Sequence, residues 1–335
     1  MGSDSNFASG TSKHTGLGAK LSLTPFSVRI GINPISWTND EVPALGGETP
    51  LATALAEGKT IGYEGFELGN KFPREPEALR AVLAQHGLAC VSGWYSGELA
   101  RRTVAEEAAA VEGHLKLLVA NGAQVMVYGE VSDAIQGQPE PLSRRPRFSS
   151  DAKWLAYGER VTAFARHLLA RGVRLAYHHH MGAYVETAED VDHLLRVTGP
   201  EVGLLHDTGH VTFADGDAPT ELKKHIARVC HVHCKDVRLA VARMASNRGW
   251  SFLDSVLNGA FSTPGEGAVD FAAVVAILRD AGYRGWLVVE GEQDPAVAPA
   301  YRYAEMAYRL LSALVGGKSE AEARAAAMVP ARAAT

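Results

Sequence analysis

The sequence predicts a single (β/α)8 barrel, a TIM barrel in which eight parallel strands alternate with helices. One observation is that short apolar segments alternate with longer helical ones through most of the 335 residues. A second is that four strand-like segments in the second half each end on a side chain that binds hard metals, as catalytic groups do at the strand ends of such barrels. A third is spacing: His178, Asp207 and His233 follow one another by 29 and 26 residues, near the about 31 that a barrel of about 250 residues gives each unit.

Eight segments are predicted as strands because each is apolar, rich in β-branched or aromatic residues and bounded by turn residues. They cover residues 27–33, 65–69, 88–94, 124–130, 173–179, 202–207, 229–234 and 285–290. Between them lie helical stretches that end in Gly, a common helix stop, at residues 76–87, 104–122 and 151–172. An open doubly wound sheet is the alternative architecture, but no Gly-rich phosphate loop follows the first strand.

The barrel domain is expected to span residues 27–316. Residues 1–26 are rich in Ser and Gly and are expected to form a disordered N-terminal extension, and residues 317–335 an Ala-rich tail that packs loosely outside the barrel. Two longer connections, residues 132–150 after the fourth strand and 237–267 after the seventh, are predicted as insertions on the rim beside the site. Structured insertions at this place often act as lids.

Composition narrows the class of partner. Lys and Arg number 33 against 38 Asp and Glu, a net charge of −5 with no long basic run, so no nucleic-acid partner is expected. No apolar stretch approaches the roughly 18 residues that span a membrane, and the first residues lack the apolar core of a secretory signal. Three cysteines are too few for a disulfide scaffold and fit a reduced compartment. We therefore expect a cytoplasmic protein with a small-molecule partner, and the rim insertions are compatible with a homo-oligomer.

Alternation along the seventh strand separates its side chains into two sets, because residues two apart in a strand share a face. One set is His231, His233 and Lys235. The opposite set, which is expected to pack against outer helices, is Cys230, Val232 and Cys234. This division argues against a Cys/His zinc knuckle, which the string CHVHC otherwise suggests.

Four strand ends supply the predicted metal ligands, two imidazoles and two carboxylates: His178, Asp207, His233 and Glu290. A carboxylate at the end of a buried strand is costly unless it is paired, which favours a ligand role for Glu290. His180 shares a face with His178, so alternation alone leaves open which of the two is the ligand. A mixed set of nitrogen and oxygen donors suits Mn²⁺, Co²⁺, Fe²⁺ or Zn²⁺ better than Ca²⁺.

These strand ends resemble the xylose-isomerase-like barrels, a superfamily of metal-dependent sugar isomerases, epimerases and dehydratases that also includes a DNA-repair endonuclease. Their ligands lie at the ends of strands 5 to 8 and are commonly Glu, Asp, His and Glu. Asp207, His233 and Glu290 match this pattern, whereas His178 stands where Glu is usual. The resemblance also implies that His210, in the string DTGH, lies near the substrate.

Longer segments resemble the inosose dehydratase family, and the similarity runs from about residue 28 to 315. The segments are residues 31–51, 67–80, 86–97 and 285–295. This resemblance implies the dehydration of 2-keto-myo-inositol (scyllo-inosose) to a trihydroxycyclohexane-1,2-dione in myo-inositol catabolism. It also implies Mn²⁺ or Co²⁺ as the metal and glutathione as a further requirement, although no glutathione site is visible in the sequence.

The implied reaction needs a base for the α-proton, a Lewis acid for the enediolate and an acid for the departing hydroxyl. His180 and His210 are the candidate bases, since imidazoles titrate near neutral pH. Lys235, one inward position beyond the metal-binding strand end, is expected to stabilise the oxyanion or protonate the leaving group. Glu130, at the end of the fourth strand, is a further candidate base.

Side chains at or just after the first three strand ends are predicted to bind a polyol, which needs hydrogen-bond partners and an apolar surface for its ring. They are Asn33, Trp37, Glu67, Asn70, Lys71, Trp94 and Tyr95. An isomerase or epimerase of ketoses or inososes is the nearer alternative function, because it uses the same metal and enediolate. An abasic-site endonuclease is more distant, since the strand ends ELGN and SGWYSG lack the additional His ligands of that class.

Overall fold

The structure, a computed structural model, describes Met1 and residues 26–328. Almost all of the predicted N-terminal extension, residues 1–26, lies outside the described part of the chain, as do residues 329–335 of the predicted tail. The described residues build a closed barrel of strands surrounded by helices.

The barrel strands are β1 (Arg29–Ile32), β2 (Gly65–Leu68), β3 (Ala89–Gly97), β4 (Val125–Glu130), β5 (Arg174–His178), β6 (Gly203–Asp207), β7 (Val229–Cys234) and β10 (Trp286–Val289). They pair in parallel and close in the order β1-β10-β7-β6-β5-β4-β3-β2. Two short strands, β8 (Asp236–Val237) and β9 (Phe261–Ser262), form a separate antiparallel pair. The closed barrel confirms the predicted fold class, and each predicted strand coincides with one barrel strand.

Helices cover the outside of the barrel and cap its rim. They are α1 (Leu51–Ile61), α2 (Pro76–Gln85), α3 (Val104–Ala120), α4 (Asp151–Leu169), α5 (Ala188–Val197), α6 (Thr208–Phe213), α7 (Ala218–His225), α8 (Leu239–Arg248), α9 (Phe252–Leu257), α10 (Phe271–Asp280), α11 (Ala300–Val315) and α12 (Glu320–Ala327), with 3₁₀ turns at Pro34–Ser36 and Leu142–Arg144. No helix in the described part of the chain combines the length and apolar character needed to cross a membrane.

Two apolar layers lie on either side of the strands. The outer layer, between strands and helices, includes Ile32, Phe66 and Val289, all with no exposed surface. The barrel floor is closed from inside by two small clusters of inward side chains: Val91, Trp286 and Val288, and Val127, Ala176 and Leu205. Because the floor is apolar and closed, polar chemistry is confined to the opposite end, where the strands end.

The predicted insertion at residues 237–267 contains α8, α9 and β9 and is fastened at its base by Asp236. That buried carboxylate accepts the backbone N–H groups of Gly265, Gly267 and Val269 at 3.0, 2.8 and 2.9 Å. An apolar cluster around Phe252 and Phe261 packs the insertion against Met181 of the loop after β5 and Phe213 of α6. It is therefore a folded cap on the rim.

The second predicted insertion, residues 132–150, is tied to the loop after β5 by Arg145. The guanidinium is buried and lies 3.2 Å from Glu186 and 2.7 Å from Asp190. It also donates to the carbonyl of Tyr184 at 3.1 Å. A buried arginine whose donors meet two carboxylates and a carbonyl fixes this loop against the neighbouring one.

The tail predicted from residue 317 differs from expectation, since the structure has helix α12 there. Ser319 and Glu322 form a capping box at its start, a signal that stabilises a short helix. Ala323 and Ala327 are 0 and 6 % exposed, so one face of the helix is buried. The Ala-rich composition that suggested a loose tail instead supplies small residues for close packing.

Candidate active site

A cavity of about 310 Å³ opens at the end of the barrel where the strands end. Many of the predicted site residues line it: Asn33, Glu67, Asn70, Trp94, His178, His180, His210, His233, Lys235 and Glu290. Asp207 lies directly behind His178 and His233 with no exposed surface. The structure therefore brings all four predicted metal ligands together with three of the predicted catalytic residues.

The four predicted ligands converge within a few ångströms. Asp207 Oδ2 lies 3.4 Å from His178 Nε2 and 3.5 Å from His233 Nδ1. Glu290 Oε1 lies 3.3 Å from the same His233 nitrogen. Asp207 Oδ2 and His233 Nδ1 are buried and have no hydrogen-bond partner. Buried polar atoms without partners are rare in proteins, and a divalent cation would satisfy both of these at once.

Asp207 is oriented by the turn that follows it. Its Oδ1 accepts the N–H groups of Gly209 and His210, both at 2.8 Å, so that Oδ2 is the oxygen left for a ligand. Residue 209 must be Gly, because a Cβ there would lie 2.6 Å from the Lys235 side chain. Burial alone raises the pKa of Asp207, but His210 and Lys235 outweigh it and hold the pKa well below its usual range.

Hydrogen bonds assign the histidine tautomers. His178 Nδ1 lies 2.6 Å from the carbonyl of His179, so it carries the proton and Nε2 has the lone pair. His233 Nε2 donates to Glu67 at 3.1 Å, so Nδ1 is the ring nitrogen left for a metal ion. His178 Nε2 and His233 Nδ1 both face Asp207. This is the arrangement found at metal sites, where the second ring nitrogen of a ligand donates to a carbonyl or carboxylate.

His180 lies beside this group, with its ring centre 5.5 Å from that of His178, but its ring nitrogens contact other residues. Its Nδ1 is 3.0 Å from the carbonyl of Met181, and its Nε2 is 3.6 Å from Glu41 Oε1. Its ring centre is 4.3 Å from that of His210. Burial, with a smaller contribution from His178, lowers the pKa of His180 to about 3, so the ring is neutral. The geometry thus places the two strand-5 histidines in different surroundings.

Lys235 is the centre of a buried charge cluster. Its Nζ lies 2.9 Å from both Glu290 Oε2 and Glu292 Oε2, and 3.3 Å from His210 Nε2. Burial lowers the pKa of Lys235, but the two glutamates overcome this effect and raise it well above the usual range. The lysine therefore stays charged and is already neutralised by protein carboxylates.

Among the cavity residues that the sequence analysis did not predict are two glutamates, Glu292 and Glu41. Glu292 is 1 % exposed, and a signal existed, because it follows Glu290 by two and so shares its direction in an extended chain. Glu41 lies in the loop after β1 and lines the cavity. Burial and then the charge of Glu292 raise the pKa of Glu41 to about 8. No periodic pattern marks a loop residue, so only its place within residues 31–51 pointed to it.

The structure places Glu130 outside the cavity, contrary to its predicted role as a base. Its Oε2 accepts from Tyr128 Oη at 2.8 Å and from Tyr157 Oη at 3.1 Å, and its Oε1 accepts from Ser132 N at 3.0 Å. Tyr128 and Tyr157 belong to the layer between barrel and helices. Glu130 therefore faces outward and joins strand to helix.

Three predicted substrate contacts also lie elsewhere. Trp37 is 2 % exposed and donates to Glu57 at 2.6 Å, and Tyr95 donates to Glu107 at 2.6 Å on α3. The Lys71 ammonium donates to two backbone carbonyls of the loop before α1. These three residues do lie near strand ends, as predicted, but packing against helices and loops turns their side chains away from the cavity.

Trp94 reaches the cavity because its partner strand has Gly at the contact. A Cβ on Gly129 would lie 2.1 Å from the Trp94 ring, so only glycine lets the indole lie there. The ring centre is 5.5 Å from that of His178 and 5.8 Å from that of His180, both edge to face. Trp94 therefore forms an apolar wall of the cavity beside both histidines.

The predicted division of β7 side chains is correct except at Cys230. His231, His233 and Lys235 face inward, and Cys234 packs in the outer layer. Where β7 pairs with β6, Val229 and His231 oppose consecutive residues of β6, so Cys230 is an extra residue in β7. Such a β-bulge interrupts the alternation of side chains on which the prediction depended. The extra residue, Cys230, packs beside Ala176 and the other floor residues.

The barrel places buried imidazoles and carboxylates at the ends of β5, β6, β7 and β10, and this set of donors is compatible with a divalent metal. The sequence profile of the family described as xylose isomerase-like TIM barrel matches residues 55–312, and the chain belongs to this family.

Within this family, the chain is similar in sequence to an inosose dehydratase and to a rhizopine catabolism protein. The chain is 41 % identical over 279 residues to the inosose dehydratase of Geobacillus thermodenitrificans, covering 83 % of this chain and 94 % of that protein. It is 48 % identical over 287 residues to the Rhizopine catabolism protein MocC of Rhizobium meliloti, covering 85 % of this chain and 88 % of that protein. The predicted resemblance is thereby confirmed.

Solved structures share the fold at low identity. A probable 3-DHS dehydratase, AsbF, from Bacillus anthracis aligns with a TM-score of 0.60 and 13 % identity, over 85 % of this chain and 99 % of that chain. An L-ribulose 3-epimerase aligns with a TM-score of 0.59 and 15 % identity, over 89 % of this chain and 96 % of that chain. These likenesses support the architecture alone.

Proposed function

We propose that the protein dehydrates 2-keto-myo-inositol (scyllo-inosose) to a trihydroxycyclohexane-1,2-dione, a step of myo-inositol catabolism. The observation that carries this proposal is the 41 % identity to an inosose dehydratase across 94 % of its length. The site adds chemical support, because one cavity holds a set of metal-type donors beside a neutral imidazole and a protonated carboxyl.

The metal would be held by four atoms in this proposal: His178 Nε2, Asp207 Oδ2, His233 Nδ1 and Glu290 Oε1. Mn²⁺ or Co²⁺ suits two nitrogen and two oxygen donors. Such an ion supplies a Lewis acid for the negative charge that develops on the ketone oxygen. His178 is preferred over His180 because its lone pair faces Asp207 at 3.4 Å.

His180 and Glu41 are proposed as the acid–base pair. His180 Nε2 takes the α-proton, and the C–H electrons form the enediolate. Glu41, whose pKa of about 8 keeps it protonated at neutral pH, gives its proton to the departing β-hydroxyl, which leaves as water. Transfer of the proton from His180 to the Glu41 carboxylate, 3.6 Å away, restores both groups. The enol product then tautomerises to the dione.

Lys235 and His210 are proposed to support the charge that develops during this step. The ammonium of Lys235 is fixed between Glu290 and Glu292, and its third neighbour is His210 Nε2 at 3.3 Å. A fixed cation that needs no reorganisation stabilises a nearby oxyanion effectively. His210 stays neutral, because burial and Lys235 hold its pKa well below the usual value.

The substrate would be an uncharged polyol. Besides the protonated Glu41, four carboxylates line the cavity, Asp40, Glu67, Glu290 and Glu292, and Asp207 lies directly behind them, whereas the cations are Arg74 and Lys235. Even with a divalent ion, four positive charges would face five negative ones, so a phosphate or carboxylate on the substrate would be disfavoured. Asn33 and Asn70 offer amides for hydroxyl groups, and Trp94 offers an apolar face.

The test is an ultraviolet assay of metal-loaded protein with 2-keto-myo-inositol, repeated after chelation. We expect a rising near-ultraviolet band from the enolised dione, which a chelator abolishes and Mn²⁺ restores. The assay is run with and without glutathione, which the resemblance implies. No band, together with a new inosose isomer by NMR, would replace the dehydratase with an isomerase or epimerase. The same cavity would serve that reaction, since it shares the enediolate.

A further inference from the structure

Glu67, at the end of β2, lies inside the barrel beneath the proposed metal ligands and is 2 % exposed. Its Oε1 accepts from the Ser92 hydroxyl and from His231 Nε2, the latter at 2.8 Å. Oε1 also accepts from His233 Nε2 at 3.1 Å, and the same nitrogen lies 3.0 Å from Oε2. Oε2 accepts from Asn33 Nδ2 at 3.0 Å. Four donors thus surround one carboxylate.

This number of donors decides what Glu67 can do. A carboxylate has about four lone-pair positions, and this one already accepts from four donors. A substrate hydroxyl, or a second metal ion between Glu67 and His231, would have to compete with these donors. Glu67 lines the cavity, but its surroundings favour a role in positioning its neighbours over direct contact with the substrate.

The contact with His233 has a chemical consequence at the opposite ring nitrogen. A neutral imidazole carries one proton, which is on either Nδ1 or Nε2. Around Nδ1 are two acceptors, Asp207 Oδ2 at 3.5 Å and Glu290 Oε1 at 3.3 Å, and both would attract the proton to that side. Glu67 is the acceptor that attracts it to Nε2. Only the Nε2–H form leaves a lone pair on Nδ1 for a metal ion.

Strand register assembles this group. In the pairing of β2 with β3, Phe66 lies opposite Cys90 and Leu68 lies opposite Gly93. Two steps along β2 therefore correspond to three along β3. The extra residue is a β-bulge, after which Ser92 faces Glu67. A second bulge, at Cys230, precedes His231 on β7. Bulges often redirect side chains beside active sites, which is their effect here.

We infer that Glu67, held by Ser92 and His231, fixes the tautomer of His233 and thereby sets the metal affinity of the site. The inference rests on the proposed metal site. Glu67 is a positioning residue in this account, since it acts through His233 and touches neither metal nor substrate. Carboxylates in such positions typically change metal affinity by about 10- to 100-fold.

The experiment compares wild-type protein with Glu67→Gln by titration with Mn²⁺, where free ion is followed by EPR, and with Co²⁺, where the visible spectrum is recorded. We expect the Mn²⁺ dissociation constant to rise by about 10- to 100-fold. We also expect a changed Co²⁺ spectrum, because the spectrum depends on which ligands bind. A purely structural role would lower thermal stability without changing the spectrum of the bound ion.

Two further substitutions keep the test valid if Glu67→Gln does not fold. His231→Gln retains a donor near the Nε2 position and should bind Mn²⁺ like wild type, whereas His231→Leu should bind several-fold more weakly. The control is Glu57→Gln, which removes a carboxylate that accepts from Trp37 outside the cavity. It should leave Mn²⁺ binding unchanged.

The results of these titrations distinguish a wrong role for Glu67 from a wrong metal site. Wild-type affinity and spectrum in Glu67→Gln, or equal binding by both His231 variants, would overturn the inference and leave the metal site intact. If wild-type protein binds neither Mn²⁺ nor Co²⁺, the metal site itself is wrong and the inference falls with it.

Discussion

His180 Nε2 lies 3.6 Å from Glu41 Oε1, so an imidazole from the end of β5 meets a carboxyl from the loop after β1. Burial acts on the two groups in opposite directions, lowering the pKa of His180 to about 3 and raising that of Glu41 to about 8. At neutral pH the pair is a neutral base beside a protonated acid. Separation of pKa values in this way is a common means of assigning acid and base roles.

Replacing His180 by Gln tests the base. Gln keeps a polar group near Nε2 but cannot accept the α-proton, so we expect kcat to fall by about 10²- to 10⁴-fold. Mn²⁺ binding should be unchanged. The matched control is His179→Gln, since His179 faces away from the cavity and contacts the carbonyl of Glu186 at 3.2 Å. Full activity in His180→Gln would eliminate the residue as the base.

The raised pKa of Glu41 should make the free energy of unfolding depend on pH. Because its folded pKa of about 8 exceeds the ordinary 4.5, the folded state keeps a proton that the unfolded state releases between these values. The stabilising contribution is therefore complete below pH 4.5 and is lost as pH rises through 8.

Glu41→Gln, which cannot ionise, should unfold like wild type at low pH. Near pH 9 it should be more stable by several kcal/mol, at most about 5, because the pKa of Glu41 is about 8 in the folded state against the ordinary 4.5 in the unfolded state. Urea unfolding of metal-free protein measures the difference, and an equal difference at both pH values would contradict the assignment.

We expect substitutions of Lys235 and Glu292 to have strongly non-additive effects on the free energy of unfolding. Lys235→Met leaves two buried carboxylates without their cation and should cost about 3–5 kcal/mol of unfolding free energy. Adding Glu292→Gln removes one of those charges and should recover part of this loss. Thermal or urea unfolding of the two single variants and the double variant measures the coupling. Additive effects would mean that the 2.9 Å contact contributes little.

Substitution of Gly129 by a larger residue is expected to weaken substrate binding. A methyl group at this position would displace the Trp94 indole, so Gly129→Ala should raise KM by on the order of tenfold. The effect on kcat should be smaller, because the reacting groups are not touched. Gly137→Ala, on the rim where no atom lies within 4 Å of the added methyl, is the control. Equal KM values in both variants would remove Trp94 from the binding site.

The charge of the cavity predicts discrimination against anionic analogues. An inosose phosphate should bind far more weakly than the neutral inosose, because carboxylates outnumber cations among the lining residues. Competition assays at low and high salt measure this, and repulsion should weaken as salt screens the charges. Tight binding of the phosphate would point to a different substrate class.

Local periodicity determined most of the fold. Each of the eight strands was predicted within a few residues, because buried parallel strands are apolar runs and their ends follow from turn residues. The four proposed metal donors, His178, Asp207, His233 and Glu290, were chosen because each lies at the end of a strand-like segment, and the structure brings these strand ends together. Alternation then correctly directed His231 and Lys235 into the barrel.

Directions that depend on neighbouring elements were decided only by the tertiary structure. Cys230 faces the floor because a bulge changes the phase of its strand, and Glu130 faces outward to meet two tyrosines. Glu41 joins the site from a loop, which has no period to read. Glu67 became a partner of His233 through contacts between residues 166 positions apart. Strand order and strand ends follow from local sequence, whereas shared hydrogen bonds and shifted pKa values exist only once distant segments are packed together.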